Sequence, residues 1–286
     1  MKASTEWLCS SGVEFCPPGG RSGWAYLTHY AAEYWQWGEG PPIVLVPGLA
    51  GGCKLLGPLA CQLASKYRVI TFQLRGEDDC FSLRHSLGMQ DLVDDLAEFL
   101  QCQGLETPTV LGVSFGGVLA LELAARYPGR VGSLVVQGVG SHYVPGVLQN
   151  VAATILARYP LPTDNAFVNQ FFNLLFGKKQ PPGPLFQFVT RQCWQTDQSV
   201  MAHRFGLVQQ FDMRPRLAEI RVPTLALAGN RDVLVSEHGL RELCDGIANA
   251  QLVRLKGCGH LAFVTDPHRV AAEVTRFLAA RVKLAV

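Results

Sequence analysis

The chain is poor in charge and has no long apolar run. Only 17% of its 286 residues are Asp, Glu, Lys or Arg, and the formal net charge is +2. No block of lysine and arginine forms a basic arm, so no nucleic-acid partner is expected. No uncharged apolar stretch reaches the roughly 18 residues of a membrane span. The opening "MKASTEWLCSSGVEF" lacks the roughly 7–15-residue apolar core of a secretory leader, and the sequence reads as a soluble, cytoplasmic protein. The nine cysteines show neither CxxC nor any Cys/His metal spacing, and an odd number cannot all pair within one chain. Free thiols in a reducing compartment are the simpler account. A Cys9–Cys16 link stays open for a processed or secreted form. GxGxxG and GK[ST] are both missing, which sets nucleotide chemistry aside. There are no repeats and no low-complexity tracts.

The composition is 48% hydrophobic, and a chain of this length can bury the core of one large α/β domain with room for an insertion. "WAYLTHYAAEYWQW" alternates loosely and predicts one or two antiparallel edge strands. "PIVLVPG" is a continuous apolar run of the kind buried on both faces of a parallel sheet, and "RVITFQLRG", "TPTVLGVS", "VGSLVVQGV", "PTLALAGN" and "AQLVRLKG" read as further strands. Between them "LLGPLACQLASKY", "MQDLVDDLAEFLQCQG", "FGGVLALELAARYPGR", "SEHGLRELCDGI" and "DPHRVAAEVTRFLAARV" carry helical periodicity. Regular alternation predicts an α/β fold, a mainly parallel, doubly wound sheet of about eight strands. Residues 141–221 break the pattern with Pro-rich turns and helix-like pieces such as "NAFVNQFFNLLF". The expected division is a core of residues 1–140 and 222–286 with a helical cap insertion at 141–221.

One hydroxyl interrupts the apolar run "VLGVSFGGVL". Gly112, Ser114 and Gly116 form GxSxG, which places a serine on a tight strand-to-helix turn, although a buried serine in a glycine-loosened turn would read the same way. A serine nucleophile needs a base within hydrogen-bond reach and a third group to orient that base. Ligands of a parallel sheet gather at the carboxyl ends of the strands. Two residues lie just past late strands: Asp232 in "LALAGNRDVLV" and His260 in "LVRLKGCGHLAF". Taken singly, Asp232 could be a turn acid and His260 a loop histidine satisfied by a carbonyl. Their chain order with Ser114 is that of the hydrolases built around GxSxG. The amide of Phe115, next to the serine, and that of Leu49, in the glycine-rich "PGLAGG" loop, are the candidate oxyanion donors. Of the other histidines, His29, His85, His238 and His268 read as solvated, while His142 and His203 could face a pocket.

"VLVPGLAGG", "LRGED", "GVSFGGVLALELAARYP", "AGNRDVLV" and "GCGHLAF" together resemble the α/β-hydrolase superfamily, and in particular its cap-bearing carboxylesterases, C–C bond hydrolases and lactonases. The resemblance covers nearly the whole chain. It implies Ser114 as nucleophile, His260 as base, Asp232 as orienting acid, Leu49 and Phe115 as oxyanion donors, and no metal or organic cofactor. A serine at the nucleophile position disfavours the epoxide hydrolases and haloalkane dehalogenases of the superfamily. The chain departs from the family's usual pattern in two places. Pro47-Gly48 stands where His-Gly is common, and "QLRGEDD" replaces D-x-RG-x-G, so Gln73, Glu77 and Asp78 predict a polar rim.

Residues 141–221 carry Phe167, Phe171, Phe172, Phe176, Phe186, Phe188, Trp194, Phe205 and Phe211, read mainly as packing, with an uncharged acyl or alkyl group as the expected guest. Lys178, Lys179, Arg191 and Arg204 read as a solvated outer face. The expected activity is hydrolysis of small to medium carboxylic esters, with a small-molecule ester and water as partners. C–C bond hydrolysis, lactone opening and acyl transfer use the same triad, and a ligand-binding receptor on a hydrolase scaffold is a further alternative.

Overall fold

The computed structural model describes residues 20–77, 87–158, 166–177 and 183–282. Eight strands form one sheet: β1 (Arg21–Tyr26), β2 (Ala31–Trp37), β3 (Pro42–Val46), β4 (Arg68–Phe72), β5 (Thr109–Val113), β6 (Ser133–Gln137), β7 (Thr224–Gly229) and β8 (Ala250–Leu255). Their spatial order is β1-β2-β4-β3-β5-β6-β7-β8. The first two are antiparallel, as is β2 against β4, and every other pair is parallel. The helices are α1 (Gly57–Leu63), α2 (Met89–Cys102), α3 (Phe115–Arg126), α4 (Val147–Arg158), α5 (Ala166–Phe176), α6 (Pro184–Cys193), α7 (Gln198–Gln209), α8 (Glu237–Gly246), α9 (Ala262–Thr265) and α10 (Pro267–Val282).

The continuous apolar strands are explained by burial on both faces. In β3, Val44 and Val46 enter one core cluster with α2 and α3, whereas Ile43 and Leu45 enter another with α1 and α10. Successive side chains of a strand point to opposite faces, so a strand covered on both sides needs apolar residues at every position. Helix α2 buries Leu92, Val93, Leu96, Phe99 and Leu100. It starts where the Asp91 carboxylate accepts the Gly88 N–H at 2.7 Å, an N-terminal arrangement that occupies an otherwise unpaired donor and suits the helix dipole. The helix expected over "LLGPLACQLASKY" is shorter than its apolar pattern. A 3-10 turn, Cys53–Leu56, precedes α1, and Pro58 sits in the first turn of α1, where proline's missing N–H costs nothing.

Helices α4 to α7 all lie in the chain between β6 and β7. Phe172, Leu175 and Phe176 of α5 and Val189 and Cys193 of α6 extend the α1/α10 cluster, while Phe211 and Met213 join the α2/α3 cluster. The segment holds no strand among the described residues, only a single antiparallel bridge between His142 and Asp212. No disulfide links the described cysteines to one another. The suggested Cys9–Cys16 link lies outside the described residues. No described helix is long and apolar enough to cross a membrane.

Candidate active site

Ser114 stands between the end of β5 and the start of α3 with φ +50°, the only positive φ outside glycine among the described residues. A non-glycine residue held in a sparsely populated region costs about 1–3 kcal/mol and persists only where its surroundings enforce it. The flanking glycines act through space, not through φ. A Cβ on Gly112 would fall on the Gly116 carbonyl, and one on Gly116 would fall on the carbonyls of Val46 and Pro47. The turn is held from the next strand as well, since the Ser114 N–H donates to the Gln137 carbonyl at 2.8 Å.

Asp232 follows β7 and His260 follows β8, and the fold brings both to Ser114. His260 Nε2 lies 2.9 Å from Ser114 Oγ, and His260 Nδ1 lies 2.9 Å from Asp232 Oδ2. The side chains of His260 and Asp232 are buried. Burial pushes the Asp232 carboxyl up, but the neighbouring His260 ring and the amides of Leu234 and Val235 outweigh it and hold the group below the usual carboxylate range. The ring is fixed from its backbone too. Gln137 Nε2 donates to the His260 carbonyl at 3.0 Å, and the Leu261 N–H donates to the Leu175 carbonyl of α5 at 3.2 Å. Gln137 therefore touches the serine turn through its carbonyl and the histidine loop through its amide. The signal for it was a polar residue closing the strand "SLVVQ".

The Leu49 and Phe115 amides have no hydrogen-bond acceptor among the described residues. Phe115 opens α3, where unpaired amides face any anion at the helix N-terminus. Two expectations about the surroundings are corrected. Gln73 and Glu77 do not make a solvent rim: both are buried, Glu77 at 4% exposure. Arg204 does not belong to a solvated face, being 1% exposed and paired with Glu77. The two corrections share one cause, because each charge is neutralised by the other and both can leave water. Arg191 is exposed as expected, and Asp78, Lys178, Lys179 and His85 lie outside the described residues.

Ser114 and His260 open into a cavity of 260 Å³. From the segment between β6 and β7, Phe171, Phe172, Trp194, Phe205 and Phe211 line it, while Phe176, Phe186 and Phe188 do not. Phe176 and Phe186 stack on each other at 5.8 Å. The side chain of Phe167 lies outside the described residues. No Asp, Glu, Lys or Arg lines the cavity among the described residues. Its polar wall includes His142, whose Nδ1 lies 2.9 Å from Ser141 Oγ and 3.1 Å from Glu242 Oε2. His203 instead turns away, with Nε2 at 2.6 Å from the Leu87 carbonyl. Cys193 also lines the cavity, but burial and the charge of Glu77 push its thiol up to about 12, so it is no rival nucleophile near neutrality. His29 is exposed, and His238 and His268 lie on α8 and α10.

Comparison with known proteins agrees with this architecture. Residues 41–267 match the family model described as the alpha/beta hydrolase fold. A protein of Azorhizobium caulinodans named as a carbamate hydrolase, RutD, is 28% identical over 242 residues, 80% of this chain and 88% of its own. The 2-hydroxy-6-oxo-6-phenylhexa-2,4-dienoate hydrolase of Comamonas testosteroni is 25% identical, covering 82% of this chain and 87% of its own. Among solved structures, the enol-lactonase of Burkholderia xenovorans LB400 superposes with a TM-score of 0.78 at 20% identity, over 90% of this chain and all of that one. With the family model spanning most of its length and the same fold in its relatives, the chain belongs to the α/β-hydrolase family.

Proposed function

We propose that the protein is a serine hydrolase that cleaves neutral carboxylic esters of small to medium acyl chain through an acyl-enzyme. The observation that carries the reading is the continuous Asp232–His260–Ser114 hydrogen-bonded relay, 2.9 Å at each link, opening into an apolar cavity. His260 takes the Ser114 proton as Oγ attacks the ester carbonyl. Buried, ionised Asp232 keeps the ring's Nδ1 protonated and stabilises the imidazolium as it forms. The amides of Leu49 and Phe115 receive the negative charge on the carbonyl oxygen. His260 then returns the proton to the leaving alcohol, and water attacks the acyl-serine by the same route in reverse.

The helices between β6 and β7 act in this reading as a cap over the acyl group. An uncharged guest fits a wall with no charged side chain among the described residues, because a carboxylate buried there would lack a partner. This favours simple esters over C–C cleavage of an anionic dienoate, the type of substrate that the Comamonas relative's name specifies. The test is hydrolysis of p-nitrophenyl esters from acetate to palmitate by the wild type and Ser114→Ala. Turnover peaking at short to medium chains and lost about 10⁴-fold or more in Ser114→Ala supports the reading. Full activity in Ser114→Ala, or none in a folded wild type, overturns it.

A further inference from the structure

The loop that would carry one oxyanion donor has no polar side chain of its own to hold it in place. Residues 47–52 read Pro-Gly-Leu-Ala-Gly-Gly, with no polar side chain, and Gly51 and Gly52 take φ +85° and +49°. A segment of this composition has large backbone freedom to lose. One local bond steadies it, from the Leu55 N–H to the Gly51 carbonyl at 3.2 Å. Its side-chain ties come from the segment between β6 and β7. Arg204 Nη1 of α7 donates to the Leu49 carbonyl at 3.1 Å, and Thr196, between α6 and α7, accepts the Gly51 N–H on Oγ1 at 3.0 Å.

Both ties converge on Glu77. Arg204 Nη1 pairs with Glu77 Oε1, and Thr196 Oγ1 donates to Glu77 Oε2 at 3.3 Å. Arg204 Nη2 donates to the Arg75 carbonyl at 3.2 Å, and its guanidinium lies 5.9 Å from the centroid of the Phe115 ring. One buried cation thus touches both residues whose amides would form the oxyanion hole. A planar guanidinium holds two carbonyls and a carboxylate from donors spread in fixed directions, whereas an ammonium presents its three donors from one atom on a flexible stem. A buried ion pair gives little net stability once desolvation is counted. Its directional bonds to the loop are a more specific consequence than stabilisation.

We infer that Arg204 is a positioning residue for the oxyanion loop: locked by Glu77, it holds the Leu49 carbonyl and so limits the freedom of the segment that carries the Leu49 N–H, making the oxyanion hole depend on the seating of α7. The inference rests on the reading of Leu49 and Phe115 as oxyanion donors.

The test compares wild type with Arg204→Met and Arg204→Lys in two independent measurements. Hydrogen exchange across residues 47–52 is expected to accelerate in both variants, while the segments holding Ser114 and His260 keep their protection. For p-nitrophenyl butyrate, kcat is expected to fall about 10–100-fold, the scale set by a misaligned oxyanion donor, with KM changed by less than about 3-fold. The inhibition constant of a trifluoromethyl ketone, which forms a tetrahedral serine adduct, should rise by the factor by which kcat/KM falls. Should Arg204→Met not fold, the Glu77→Leu/Arg204→Met double variant removes both buried charges and carries the same expectations. Unchanged exchange in the loop, with kcat and ketone affinity intact, overturns the inference. A loosened loop with unchanged kcat overturns the positioning role and the assignment of Leu49 as a donor together. A wild type inert to ester and ketone overturns the serine-hydrolase reading, and the exchange arm still decides whether Arg204 holds the loop.

Discussion

All six residues of β7 are buried, whereas α4 leaves Val147 at 83% exposure and Val151 at 40%. The same contrast runs through the two sides of the cavity. On the sheet side, Ser114 and Asp232 each follow a strand paired on both edges, and His260 follows the edge strand β8, which pairs with β7. On the other side, α5 and α7 offer the half-buried Phe171 and Phe205 beside the buried Phe172, and the deepest side chain of α7 is an arginine. In the proposed function, chemistry that tolerates errors of only a few tenths of an ångström falls on the sheet side, and shape selection on the helical one. The loop 47–52 shows where this division is incomplete, because a sheet-side element takes its side-chain ties from the helical side.

The contrast can be tested from each side. Asp232→Asn should have the largest effect, lowering kcat by about 10³–10⁴-fold while the fold persists, because the amide favours the wrong histidine tautomer. It should also change the response to acid. The Asp232 carboxyl is held below its usual range, so its ionised form stabilises the folded chain above the unfolded value of about 3.9. That stabilisation is lost as pH falls through the folded value. Urea titrations between neutral pH and pH 3 should therefore show a shallower acid loss in Asp232→Asn than in the wild type. Next in size, Leu45→Ala, within the fully buried part of β3, should cost about 2–5 kcal/mol in denaturant unfolding. A cost under about 1 kcal/mol would contradict the sheet-side argument. Phe171→Ala, in the partly buried wall of the cavity, should have the smallest effect. Its stability cost should stay within about 1–2 kcal/mol, below the range for fully buried aromatics, while the preferred ester chain lengthens. An unchanged chain-length profile would remove Phe171 from the acyl wall.

The sheet and the catalytic candidates were legible for a common reason. A strand buried on both faces must be apolar throughout, and "PIVLV" and "TLALAG" show it without reference to anything distant. The serine turn was equally local, since Gly112 and Gly116 are required by backbones that approach within their own few residues and the adjacent strand. Helix α7 was different. "QSVMAHRFGLVQ" distributes apolar residues around its axis, so no face declares itself and an arginine on it reads as solvated. Its burial depends on Glu77, more than a hundred residues away, and no local pattern records that pairing.

The sequence by itself determined the alternation of strands and helices, the strained serine turn, and the order of Ser114, Asp232 and His260, because each follows from periodicity or from residue types at a strand end. Only the tertiary structure decided which aromatics reach the cavity, that Gln137 joins the serine turn to the histidine loop, and that Glu77 and Arg204 leave solvent together. Those outcomes depend on contacts between distant segments, where burial reverses the preference that a side chain shows alone.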